Sequence, residues 1–290
     1  MRFNVCLLSL PGPALSLAFD DLAETYVFGL KALGYPAELT KNLLRPDGVN
    51  VLFGVNFFCH YAELKFPPNV VIVNLEQHTP ESEWFTPTLL GAYRDNVVWD
   101  YSQANIDSLT RQGCRSVHWV PIGSMPQMLR IPVAAQDIDV LHYGALTPRR
   151  LEALNAVRAA GLRVVALGSV FGAERDRYIA RAKVVLQVRA EPYHRIFEVV
   201  RASYLMTNGK AIVSEFDEST AVEPDLMAGV HWASYANLPA ACATLCADAK
   251  LRHQVEASAR EAMQRRPQSR YLESAIAALP ASVLAPGHVQ

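Results

Sequence analysis

The residues best suited to chemistry lie in two clusters in the second half of the chain. One is Gly144 followed by Arg149 and Arg150 in HYGALTPRR. A glycine closing a strand lets an anion approach the backbone, and an arginine in the first helical turn adds a two-pronged donor where the helix dipole is already positive. Cations usually sit at helix C-termini, so these arginines invite a function; two solvated side chains are the alternative. The other cluster is Glu191, His194, Arg195 and Glu198 in VRAEPYHRIFEVVRASYLM. Arg195 and His194 suit a diphosphate, and the Glu198 carboxylate suits the paired hydroxyls of a ribose. An ordinary helical pair of Arg195 with Glu198, worth about 0.2–0.5 kcal/mol, is the competing reading.

The first half offers groups that could take a proton from a hydroxyl: Glu76 and His78 in NLEQHTP, His60, and Asp100 in WDYS. Each follows an expected strand. Loop histidines without a catalytic part, and an Asp100 or Ser102 that caps the helix beginning near Gln103, are the alternatives. Cys242 and Cys246 lie four apart on an expected helix without a histidine or second cysteine pair, and read as core. No paired aspartates follow a strand where they would hold a metal on a sugar diphosphate. The expectation is therefore no metal and no resident cofactor.

Composition limits what these clusters can serve. With 27 Lys+Arg against 28 Asp+Glu and net charge −1, no single-sign surface marks a nucleic-acid partner, so any anion must be held by a few placed cations. The apolar N-terminal run is broken by Pro11 and Pro13, too short for a membrane span, and lacks a signal-peptide cleavage pattern. Five cysteines without a CxxC pair suit reduced thiols and a soluble, cytoplasmic protein.

Positioning these residues requires strand ends. Short apolar runs at Val51–Phe53, Val70–Val73, Val97–Trp99 and 118–121 alternate with helical stretches at 19–33 and 106–112. After a proline-bearing linker from Gly123 to Gln136 the pattern restarts: DVLHYG, LTPRRLEALNAVRAAG, LRVVALG, FGAERDRYIARA, KVVLQV, RIFEVVRASYLM and KAIVSE, with helices at 238–246 and 251–264 and a last one at 271–284 ending near Pro286. Continuous apolar strands between helices predict parallel sheets covered on both faces, whose ligands sit beyond the strand C-termini.

The segments HYGALTPRR, RIFEVVRASYLMTNGK and AIVSE, with VNLEQ, VWDYSQANI and VPIG before them, resemble the GT-B glycosyltransferases, specifically bacterial nucleotide-sugar-dependent members. The resemblance runs from about Val71 to Glu215. It implies an α/β fold of two Rossmann-like domains across a cleft. An acceptor domain would span 1–124, a nucleotide-sugar domain 132–270, and a final helix in 271–290 would cross back. The partners implied are a nucleotide-sugar donor and an unidentified acceptor, with Gly144, Arg149, Arg150, His194, Arg195 and Glu198 at the donor and Glu76, His78 or Asp100 as catalytic groups. The retaining branch often spaces two glutamates one residue further apart than Glu191 and Glu198, which leaves Glu198 as the match to the ribose glutamate and the stereochemistry open. An epimerase or hydrolase on the same fold, or a non-catalytic nucleotide-sugar-binding protein, are the rival readings. A dinucleotide oxidoreductase is disfavoured because no strand–helix junction carries G-x-G-x-x-G.

Overall fold

The computed structural model describes residues 1–11 and 15–284. Pro13 and Pro286, expected to interrupt the first apolar run and to follow the last helix, lie outside the described residues. The chain divides into two compact units, one made of Met1–Met125 with the segment from Pro267 onward, the other of Pro126–Arg266.

The first unit contains β1 (Phe3–Leu7), α1 (Asp20–Ala32), β2 (Ala37–Lys41), β3 (Val49–Phe53), β4 (Val70–Asn74), α2 (Pro87–Asp95), β5 (Val97–Asp100), α3 (Gln103–Arg111) and β6 (Val117–Trp119). Its strands are all parallel, in the order β2-β1-β3-β4-β5-β6. Every residue of β1, β3, β4 and β5 is buried, as parallel strands covered on both faces require. Cys6, Leu52, Ile72 and Val98 from four strands pack with Leu89, Ala92 and Tyr93 of α2 and Leu109 of α3.

The second unit contains β7 (Ile138–Tyr143), α4 (Pro148–Ala159), β8 (Val164–Leu167), α5 (Gly172–Arg181), β9 (Ala182–Gln187), α6 (Val199–Thr207), β10 (Ile212–Glu215), β11 (His231–Ala233), α7 (Leu238–Ala247) and α8 (Ala249–Gln264). The parallel order is β11-β10-β9-β7-β8. Val140, Val184, Leu186 and Val213 pack with Ala153, Leu154 and Val157 of α4 and Leu238, Ala241, Cys242 and Leu245 of α7. Cys242 is thus core, and burial pushes its thiol up.

In each sheet the chain winds outward on one side of its first strand and then on the other, so the order reverses between β1 and β3 and between β7 and β9. A crevice forms at such a reversal, where neighbouring connections leave in opposite directions. Each reversal carries a left-handed glycine. Gly54 follows β3 at φ 82° and Gly144 follows β7 at φ 115°, conformations that cost an L side chain.

Two edge strands, β2 and β11, were not expected from the sequence. RIFE also differs from expectation, because Arg195–Glu198 is not helical. Phe197 N–H donates to Ala221 O at 3.0 Å and Ala221 N–H to Arg195 O at 2.7 Å, a strand-like pairing that delays α6 to Val199. The expected last helix is two: α9 (Gln268–Ala277) and α10 (Ala281–Leu284).

Helix α9 packs on α1 within the first unit. Gln268 is fully buried, accepts from Gly123 N–H at 2.7 Å and donates to Pro121 O at 3.3 Å. At Gly29 of α1 a β-carbon would stand 2.8 Å from Leu272 Cδ1 and 3.3 Å from the Ser269 backbone nitrogen. Gly29→Val should therefore overpack this seam and destabilise the protein by about 1–3 kcal/mol. Urea unfolding checks this, and an unchanged midpoint would contradict the contact.

Candidate functional site

In the second unit the site is built from the connections beyond β7, β9 and β10. Thr147 caps α4, with its hydroxyl accepting from Arg150 N–H at 3.5 Å and donating to Ala190 O at 3.0 Å, while Pro148 opens the helix. That start aims Arg150 inward and Arg149 across the sheet end. Arg150, 3% exposed, donates from Nε to Val188 O at 2.7 Å, from Nη1 to Ala145 O at 3.0 Å and from Nη2 to Glu198 Oε1. One guanidinium thus fastens the segments after β7 and β9 to the residue preceding α6.

Glu198 is shared. Arg201 Nη1 stands 3.1 Å from its Oε2, yet both atoms are buried without an aligned hydrogen bond, so charge holds this contact and directional bonding capacity is left over. Burial pushes the Glu198 carboxyl up, but Arg201 and Arg150 outweigh it and the net shift is down. Burial, with the charges of Arg201 and Arg149, lowers the Arg150 pKa against the pull of Glu198. His142 lies below, its Nδ1 2.9 Å from Leu186 O; burial and then the Arg201 charge push it down to about 4, so it is neutral at physiological pH. The Arg201 guanidinium also lies against Gly144, where a β-carbon would meet Nη2 at 2.7 Å. Any side chain there would displace Arg201.

Arg149 is engaged elsewhere. It grips Glu215 with both prongs, Nη1 to Oε2 at 2.7 Å and Nη2 to Oε1 at 2.5 Å, and its guanidinium lies 4.1 Å from the centre of the Tyr235 ring. Arg195 is exposed. His194 is half-buried with its ring 4.8 Å from that of Tyr193, and burial lowers its pKa.

In the first unit Glu76, His78 and Asp100 fall into one network at the ends of β4 and β5. Asp100 is fully buried and accepts from Asn74 Nδ2 at 2.6 Å, Ser102 N–H at 2.8 Å and Asn105 Nδ2 at 3.1 Å. Glu76 is partly exposed, with Oε1 accepting from Asn56 Nδ2 at 3.1 Å. His78 Nδ1 lies 2.6 Å from Ser108 Oγ, and burial followed by the charge of Arg111 lowers its pKa. His60 is exposed. Among the described residues no three His, Cys, Asp or Glu side chains cluster as a metal site would need, and no helix is long and apolar enough to cross a membrane.

Comparison with protein-family models finds no match, and comparison with curated protein sequences finds none. Solved structures do match. Anabaena HepE, determined in complex with UDP and glucose, is similar over 96% of this chain and 100% of its own, with TM-score 0.60 and 15% identity. AviGT4, a glycosyltransferase involved in avilamycin A biosynthesis, is similar over 95% and 97%, with TM-score 0.55 and 14% identity. WaaG, a glycosyltransferase involved in lipopolysaccharide biosynthesis, is similar over 94% and 98%, with TM-score 0.55 and 12% identity. The chain has the GT-B fold.

On that GT-B frame the expected donor-side residues Gly144, Arg150 and Glu198 come together around the β7/β9 reversal, whereas Arg149 is paired one strand over and Arg195 stays exposed. Sequence reasoning missed Arg201, which spacing presents as an ordinary partner three residues after Glu198, and Glu215, which closes an apolar strand. The one available signal was the i,i+3 spacing of Glu198 and Arg201, which places the carboxylate at the start of α6 beside an arginine in its first turn.

Two measurements check this geometry. Arg150→Ala should destabilise the protein by about 3–5 kcal/mol, because it leaves Glu198 buried with one of its two cations and two carbonyls without a donor; a loss below about 1 kcal/mol would contradict the network. Burial pushes Asp100 up to about 7. Between about pH 4 and about pH 7 its folded state therefore holds a proton that the unfolded chain, titrating near 4, has released, and above about pH 7 Asp100 is ionised in both states. Stability should fall as pH rises from about 4 to about 7 and stay lower above it. The stability difference between wild type and Asp100→Asn isolates this group, and a difference independent of pH would contradict the assignment.

Proposed function

We propose that this chain is a glycosyltransferase that binds a nucleotide-sugar donor on its second unit and transfers the sugar to an acceptor hydroxyl without a metal. The observation that carries the reading is the Arg201 guanidinium, held against left-handed Gly144 at a strand-order reversal with unused bonding capacity shared with Glu198. It stands on a GT-B fold whose similar structures include one with UDP and glucose bound. In this reading Arg201 and the exposed Arg195 face the diphosphate, the Gly144 backbone approaches it, and the Glu198 carboxylate accepts from a ribose hydroxyl. Arg150 and Arg149 hold the frame by fixing Glu198 and Glu215.

The acceptor oxygen forms a bond to the anomeric carbon while the bond from that carbon to the diphosphate oxygen breaks. The electron pair leaves on the nucleoside diphosphate, where arginines stabilise it in place of a metal. The acceptor proton passes to a base in the first unit, for which the partly exposed Glu76 is the candidate. Five unpaired cysteines accord with a cytoplasmic setting.

The test is binding of nucleoside diphosphates and nucleosides to wild type and Arg201→Ala, read by calorimetry and thermal shift. The variant should lose about 10- to 150-fold in diphosphate affinity, the value of one charge-assisted bond, and keep its nucleoside affinity. Turnover should persist in excess EDTA. Absence of binding by every nucleoside diphosphate would sink the reading. Donor consumption without a glycosylated product would instead favour hydrolysis or epimerisation.

A further inference from the structure

We infer that Asp100 is a positioning residue that fixes Glu76 through two asparagine side chains and never meets the substrate itself. The inference rests on the proposed transfer reaction, in which Glu76 takes the acceptor proton. Asp100 is fully buried at the end of β5, and the bonds it accepts all come from neutral donors. A buried carboxylate without a cation is costly and persists where its acceptors are needed.

The two asparagines show what they are needed for. Asn74 Nδ2 donates to Asp100 and also to Glu76 O at 3.0 Å, while its Oδ1 accepts from Glu76 N–H at 3.2 Å and from Tyr93 Oη at 3.1 Å. Asn105 Nδ2 donates to Asp100 and to Glu76 O at 2.8 Å, while its Oδ1 accepts from His78 N–H at 2.8 Å. The backbone on either side of Glu76 is thus held by two amides, and both amides are anchored on the same carboxylate.

Asp100, ionised above about pH 7, suits this task because it accepts on both oxygens. Oδ2 faces the Asn74 amide, and Oδ1 faces Ser102 N–H and the Asn105 amide. An asparagine in its place would turn an NH2 group toward donors in either orientation, so Asp100→Asn disrupts the clamp at almost unchanged volume. Misplacement by about 1 Å of a group that acts on a reacting proton can cost about 100-fold in rate.

The experiment combines hydrogen exchange with a double-mutant cycle on the full chain. Asp100→Asn, and independently Asn105→Ala, should speed amide exchange in residues 75–78. Asp100→Asn should lower kcat by about 100-fold with donor KM within about 3-fold. In a Glu76→Gln background the same substitution should cost less than about 3-fold, because its effect passes through Glu76. Equal losses in both backgrounds, or unchanged exchange in 75–78, would overturn the inference. If Asp100→Asn fails to fold, the Asn105→Ala cycle decides by the same criteria. Faster exchange in a protein that turns over no nucleotide sugar would uphold the clamp and remove only the transfer reading on which its purpose depends.

Discussion

The second unit depends on where one guanidinium goes. Arg150 reaches the carbonyls of Ala145 and Val188 and the carboxylate of Glu198, three points after β7, after β9 and just before α6. These connections carry backbone groups that no sheet partner satisfies, so a buried donor with several N–H groups solves three problems at once. The cost is desolvation of a permanent charge, several kcal/mol if unpaired, and Glu198 offsets it. Glu198 cannot neutralise two arginines, so the region around Gly144 keeps a positive potential, to which neutral His142 adds nothing.

The first unit solves the equivalent problem without cations. Its strand-end connections are gathered by Asn56, Asn74 and Asn105 around one buried carboxylate. Side-chain amides donate and accept together, so they bridge backbone groups of either polarity at no net charge. A carboxylate proposed to accept a proton is better served by partners that carry no positive charge, because a nearby arginine would hold it ionised and weakly basic. The two sheets share a winding order, while the strand-end clusters differ: one is held by arginines and the other by side-chain amides around a carboxylate.

Much of this was legible in the sequence. Continuous apolar runs such as VVIVN and KVVLQ, short and rich in β-branched residues, read as strands buried on both faces, and Thr147-Pro148 announced a helix start. The edge strands were not legible: AELTK is half polar and HWA too short to carry a period, since an edge strand is defined by its single neighbour. RIFE reads equally well as helix, and a pairing with distant Ala221 decides otherwise. At the site, residue types were readable and partners were not. Arg149 and Arg150 are adjacent in sequence, and the roughly 100° turn between helical neighbours sends one to Glu215 and the other into the core.

The seam between α1 and α9 joins two segments of the first unit that have the whole second unit between them in the chain. During translation the first sheet emerges with the α9-facing side of α1 uncovered, and Gly29 has no Leu272 to meet. At about 5–20 residues per second the ribosome needs roughly ten seconds to half a minute to make the intervening unit. That unit is contiguous and can close its own core as it emerges. The first unit can complete this seam only after the second has been made, so its closure follows that of the later unit in the chain.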